Sequence, residues 1–220
     1  MKTYILHGWG HNGLLWESLA NKLGRDAQAV DLPGFGKEAL IKDDWGIPQY
    51  ADWVFERIKN KGQVVLIGHS FGGRIAAEVA SKFPKSIKAL VLSGAPCLYR
   101  PTNSTILKIK AYKSVKNLLP KSIRKLFYSG DLKKAGKLEK IFRNVVVYDQ
   151  TKQLQKIDTP TLLIWGHNDD QVPIRIAKEM QGLIKNSELK IIDDTGHNVY
   201  MENPDLFYGY VKNFIASLPD

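Results

Sequence analysis

Gln63-Val64-Val65-Leu66-Ile67-Gly68-His69-Ser70-Phe71-Gly72-Gly73 is the stretch on which the reading of this chain turns. Val64 to Ile67 form a short apolar run with the length and composition of a buried strand. Gly73 to Lys82 carry apolar residues at helical spacing. Between the two lies only G-x-S-x-G, so strand must turn directly into helix. A turn that sharp forces its central residue into strained backbone geometry. Glycine is needed on either side because a Cβ there would strike the neighbouring strand or helix. Ser70 is thereby placed at the C-terminal edge of a sheet and at a helix N-terminus, where free N–H groups and the helix dipole favour developing negative charge.

Working outward, short runs rich in Val, Ile and Leu alternate with longer amphipathic stretches, the pattern of parallel strands joined by crossover helices. Strands are expected at Thr3 to Leu6, Ala27 to Asp31, Val64 to Ile67, Ala89 to Leu92, Thr161 to Trp165 and Leu189 to Ile192. Helices fit at about Leu14 to Leu23, Pro48 to Lys59, Phe71 to Lys82, Pro173 to Ile184 and Pro204 to Leu218. The fold class is α/β: one domain with a mainly parallel six-stranded sheet, helices on both faces and right-handed crossovers. A length of 220 residues suits a single unit of this kind.

The alternation breaks after Pro96 and resumes near Thr151. The expected organisation is a core of residues 1–96 and 151–220 with a short helical lid inserted at about 97–150. Ile106, Ile109, Val115, Leu118, Leu119, Ile123, Leu126 and Phe127 recur at helical spacing within it, so the insert should pack with one face down. It also holds the charge. Between Arg100 and Arg143 stand thirteen cations against Asp131 and Glu139, whereas the rest of the chain has 19 cations and 20 anions. The net charge of +10 therefore comes entirely from the insert.

Apolar residues at 44% and charged residues at 25% are ordinary for a soluble globular protein, and no apolar run approaches a bilayer span. Met1 to Leu6 is too short for a secretory signal and is expected to be the first strand. The single cysteine, Cys97, allows neither an internal disulfide nor a thiolate metal site, which agrees with a reducing compartment, the cytoplasm by default.

With these residues placed, the chain resembles the α/β-hydrolase family over nearly its whole length, on the serine hydrolase and carboxylesterase branch. His7-Gly8-Trp9-Gly10 resembles the oxyanion loop of that family, and Asp31-Leu32-Pro33-Gly34-Phe35-Gly36 the loop after its next strand. Trp165-Gly166-His167-Asn168-Asp169-Asp170-Gln171-Val172-Pro173 is similar to its acid loop. Thr195-Gly196-His197 and Glu202-Asn203-Pro204 are similar to its histidine loop. The resemblance implies Ser70 as nucleophile, His197 as base and Asp169 as the acid that orients it, with Asp170 as the competing acid. A serine hydroxyl is a weak nucleophile until an imidazole takes its proton, and that imidazole needs an acceptor on its other nitrogen. The backbone N–H groups of Trp9 and Phe71 are implied as the oxyanion hole. His7, Gly8, Gly10 and His69 are expected around the substrate, with His11 and His167 in support or at the surface. No metal or other cofactor is implied. Relatives usually carry one or two further strands before the oxyanion loop, so the sheet is expected to be trimmed at that edge.

The implied reaction is acyl transfer to water from a carboxylic ester or thioester. The alternatives are hydrolysis of a carbon–carbon bond beside a carbonyl or, in a different class, an inactive binding protein with this fold. The resemblance extends to small esterases that act on pimeloyl groups borne by a carrier protein. There, as here, a basic lid would suit an acidic partner. A solvated lysine-rich face and an anionic membrane surface are the other readings of the charge. No nucleic-acid-reading motif is visible, and no transmembrane segment is expected.

Overall fold

The computed structural model describes residues 1–101, 107 and 135–219. Its sheet has six strands: β1 (Thr3–Leu6), β2 (Ala27–Val30), β3 (Val64–His69), β4 (Ile87–Ser93), β5 (Thr161–Gly166) and β6 (Ser187–Ile192). All pairings are parallel, in the order β2-β1-β3-β4-β5-β6. The α-helices of the described residues are α1 (Glu17–Leu23), α2 (Ile47–Ile58), α3 (Phe71–Lys82), α4 (Glu139–Val146), α5 (Thr151–Leu154), α6 (Ile174–Leu183), α7 (Val199–Glu202) and α8 (Pro204–Ala216). Among the described residues no helix is long and apolar enough to cross a membrane.

Side-chain alternation along β3 divides the core in two. Val64 and Leu66 point into a cluster with Ile47, Ile75 and Met180, beneath α2, α3 and α6. Val65 and Ile67 point into the opposite cluster with Trp16, Phe207 and Val211, beneath α1 and α8. A strand covered on both faces reads as a continuous apolar run rather than an alternating one. Burying these four side chains contributes roughly 6–12 kcal/mol at ~1.5–3 kcal/mol each. That is comparable to the whole net stability of a domain.

Most predicted elements lie within two residues of their observed bounds. Two differ in kind. The helix expected from Leu14 divides into a 3-10 turn, Gly13–Trp16, followed by α1, because Asn12 Oδ1 accepts from Leu14 N and starts the turn early. The segment after His197 contains the short helix α7, too brief to show any apolar period. α8 begins as its sequence suggests, with Pro204 at the first turn and Asn203 Oδ1 accepting from Leu206 N.

Of the predicted lid, residues 97–101, 107 and 135–150 fall within the described set; the apolar positions Ile106, Ile109, Val115, Leu118, Leu119, Ile123, Leu126 and Phe127 all lie outside it. α4 belongs to this segment. Ile141 and Val145 are its buried face, and it is tied to the 43–45 segment by Lys140 Nζ to Asp43 Oδ2 at 2.7 Å and by Asn144 Nδ2 donating to Asp44 O at 2.8 Å.

The topology positions the site. β1 lies between β2 and β3, so the direction in which successive strands are added reverses there, and a crevice opens beyond the strand ends. The loops after β1 and β3 carry Trp9 and Ser70.

Candidate active site

Ser70 sits at φ 51°, ψ −113°, between the end of β3 and the start of α3. This is the strained conformation the sequence predicts for the centre of the turn. Two glycines make it possible. A Cβ on Gly68 would lie 2.5 Å from Gly72 O, and one on Gly72 would lie 2.3 Å from Leu6 O in β1. Both separations are far inside van der Waals contact. The turn is anchored by Ser70 N donating to Ser93 O at 2.8 Å and Gly72 N donating to His7 O at 3.1 Å. The second bond joins the elbow to the loop after β1.

His197 follows β6 through a turn in which Asp194 takes φ 56°. Its Nδ1 lies 2.9 Å from Asp169 Oδ2. The other oxygen, Oδ1, accepts from Gln171 N at 3.0 Å and Val172 N at 2.8 Å. Two backbone donors thus fix the carboxylate and leave Oδ2 for the imidazole. Because a carboxylate accepts, His197 Nδ1 carries the proton and Nε2 is free to accept one. The Asp169 side chain is fully buried, whereas Asp170 is exposed. Of the two aspartates, the fold brings Asp169 to the histidine.

Ser70 and His197 line one cavity of about 860 Å³. Among the described residues no hydrogen bond links Ser70 Oγ to His197 Nε2; such contacts often tighten only when substrate is bound. The apolar part of the cavity lining includes Trp9, Phe35, Phe71, Leu138, Phe142 and Val145. Trp9 is at its centre, edge-on to Phe35, Phe71 and Phe142 at centroid distances of 5.1, 5.3 and 5.1 Å. The backbone N–H groups of Trp9 and Phe71 have no acceptor among the described residues. For Phe71 this follows from its place in the first turn of α3.

The remaining predicted positions divide. Gly8, Gly10, His11 and His69 line the cavity. His7 does not. It is fully buried, with Nδ1 at 2.8 Å from Gly8 O and Nε2 accepting from Leu32 N at 3.0 Å. Both ring nitrogens are thus spent on backbone, and the expectation that His7 meets substrate is corrected to a brace for the loop after β1. Burial lowers its pKa, so it stays neutral. His69 is also fully buried, with Nδ1 on Ser93 O at 3.1 Å and its ring 4.9 Å from that of His197. Desolvation, then the neighbouring His197 and His11, hold its pKa well below the ordinary value. His167 is exposed and meets Asp193.

Two contributors were not visible from sequence as site residues. Glu202 in α7 accepts from Gly196 N and Asn198 N, the amides on either side of His197. It clamps the loop that presents the imidazole. Arg74, one turn along α3 from Ser70, also lines the cavity.

Comparison with known proteins bears on the family and the fold. The sequence model of a family described as the alpha/beta hydrolase fold matches residues 4–140 and 107–204. The chain is 27% identical to a pimeloyl-[acyl-carrier protein] methyl ester esterase of Wigglesworthia glossinidia brevipalpis, covering 96% of this chain and 92% of that protein. It is 29% identical to the uncharacterized hydrolase YugF of Bacillus subtilis (strain 168), over 86% of this chain and 80% of that one. Among solved structures it is similar to an alpha/beta hydrolase enzyme from a Medee basin deep-sea metagenome library. The TM-score is 0.78 at 18% identity, covering 100% of this chain and 90% of that one.

Proposed function

The chain belongs to the α/β-hydrolase fold family, and from that premise we propose that it is a serine hydrolase that cleaves carboxylic esters through an acyl-enzyme on Ser70. The observation that carries this reading is the 2.9 Å contact of His197 Nδ1 with Asp169 Oδ2 beside a cavity that Ser70 also lines. In the proposed cycle His197 Nε2 takes the Ser70 proton as Oγ attacks the ester carbonyl. The oxyanion forms where the N–H groups of Trp9 and Phe71 can reach it; a donor of this kind typically supplies about 3–4 kcal/mol. The alcohol leaves with the proton from His197. Water then repeats the sequence and releases the acid, returning Ser70 to its hydroxyl form. Asp169 holds the imidazole in the working tautomer and stabilises the imidazolium. The described part of the insert, residues 135–150, acts as a lid over the cavity, with Phe142 and Val145 of α4 meeting the substrate, and the single buried cysteine suits a reducing, cytoplasmic setting.

Labelling with a fluorophosphonate probe tests the reading. The wild type should label stoichiometrically and Ser70→Ala not at all. A folded wild type that takes no label would favour an inactive binding protein instead.

A second reading concerns the substrate. Relatives bear the name pimeloyl-[acyl-carrier protein] methyl ester esterase, and the excess of thirteen cations over two anions between residues 100 and 143 suits an acidic carrier protein. Lys108, Lys110, Lys113 and Lys116, which lie outside the described residues, are the test positions. Neutralising them should slow turnover of a carrier-linked methyl ester much more than that of a free one; equal losses on both would end this reading.

A further inference from the structure

Arg74 is a guanidinium where none is expected. It is 3% exposed, on the helix that Ser70 begins, and it lines the same cavity as the serine. Four residues along a helix amount to an axial rise of roughly 6 Å. Arg74 is the one lysine or arginine among the described residues that line this cavity, so an acyl chain carried by Ser70 Oγ that extends into the cavity meets it as the first cation.

Its bonding is incomplete. Nη2 donates to Tyr148 O, and Nε donates to Gln150 Oε1 at 3.4 Å, a long bond. Nη1 has no acceptor among the described residues, and no carboxylate lies within 4.0 Å of the guanidinium there. The two nearby acids are engaged elsewhere. Glu78 Oε1 accepts from Tyr148 OH at 3.2 Å and Glu78 Oε2 from Gln150 Nε2 at 3.1 Å. Asp149 pairs with Arg100 at 2.7 Å. Both act on Arg74 only at longer range, and desolvation outweighs them, lowering its pKa. An arginine remains protonated even so. A buried cation without a direct counter-ion is costly unless something completes it. A structural tie to residues 148–150 needs hydrogen-bond donors; it does not need a charge facing a cavity.

We propose that Arg74 is an anion subsite at the far end of the acyl pocket, so that the preferred substrates are esters whose acyl chain ends in a carboxylate. The planar guanidinium suits a carboxylate better than an ammonium would, since it can present two parallel N–H donors. This rests on the reading of the cavity as an ester hydrolase site. An acyl chain joined to a carrier at its far end would offer Arg74 a neutral thioester rather than a carboxylate, so the two substrates form separate arms of the test.

The experiment follows methanol release from a chain-length series of monomethyl dicarboxylates, each paired with the methyl ester of the monocarboxylic acid of matching length. For the wild type, kcat/KM of the acid-terminated ester should exceed that of its neutral partner by about tenfold or more at the best length, as expected for one charge-assisted contact. In Arg74→Gln the ratio should fall to about one, and Arg74→Lys should recover part of it. No preference in the wild type, or a preference that survives in Arg74→Gln, would overturn the proposal. Binding separates this failure from failure of the hydrolase reading. Adipate should raise the melting temperature of wild type and of Ser70→Ala but not of folded Arg74→Gln, whether or not any ester is turned over. Equal shifts in all three would overturn the subsite by itself.

Discussion

Replacing Asp169 by Asn should stop turnover and leave the fold standing. Oδ1 of the native carboxylate accepts from Gln171 N at 3.0 Å and Val172 N at 2.8 Å. An asparagine oxygen keeps both bonds, which turns the amide nitrogen toward His197 Nδ1, where Oδ2 stood at 2.9 Å. A donor then faces the ring nitrogen that carried a proton. His197 must move that proton to Nε2, the atom that has to accept from Ser70. In triads of this design the wrong tautomer lowers kcat by roughly 10⁴-fold, or about 5 kcal/mol of transition-state stabilisation. Stability should change little because no buried donor loses its acceptor. Asp169→Ala makes the control, since it strips the acceptor from two backbone N–H groups at about 1–3 kcal/mol each. Steady-state hydrolysis of a nitrophenyl ester, alongside urea unfolding of the three proteins, provides both readouts. An Asp169→Asn protein that keeps kcat within tenfold of wild type would refute the reasoning.

Gly72→Ala should fail to give active protein, since its Cβ would stand 2.3 Å from Leu6 O; soluble yield and fluorophosphonate labelling would both drop, and full labelling would contradict this. Glu202→Ala removes the acceptor for Gly196 N and Asn198 N and should lower kcat by roughly 100-fold through misplacement of His197, with Glu202→Gln milder in the same assay. Acid should destabilise the fold through His7 and His69, whose pKa values burial lowers. Above about pH 6.5 both are neutral in either state; below it the unfolded chain binds protons that the folded chain refuses, so stability falls with pH by up to about 1.4 kcal/mol per unit for each histidine. Urea midpoints at pH 7.5 and 5.5 measure this slope, and His7→Gln should flatten it.

The sheet was legible because each central strand has an apolar run ended by a turn, and burial on both faces confines polar residues such as Lys88, Ser93 and Thr161 to positions near the strand ends. β6 was read short at its start because Ser187 and Glu188, which pair with Thr161 and Leu162, are only half-buried and carry no apolar signal. The elbow was legible because Gly68 and Gly72 answer to backbone collisions that any chain of this topology must avoid. His7 was misjudged for a related reason. A histidine beside the oxyanion loop looks the same in sequence whether its ring meets substrate or, as here, Gly8 O and Leu32 N. Arg74 gave no sign either, since its contacts with Tyr148 and Gln150 span more than seventy residues. Glu202 stands in the stretch that resembles the histidine loop, but its hold on Gly196 N and Asn198 N is a contact with backbone that no residue pattern displays.

The central claim is that Ser70, His197 and Asp169 act as one proton-transferring unit that leaves an acyl group on the serine. Peptide mapping by mass spectrometry, after acid quench of the enzyme during turnover of a nitrophenyl acetate, tests it most directly. The acetyl group should be found on Ser70 in the wild type and be absent from His197→Ala. Turnover with no acetylated peptide, or an acetyl group on another residue, would contradict it.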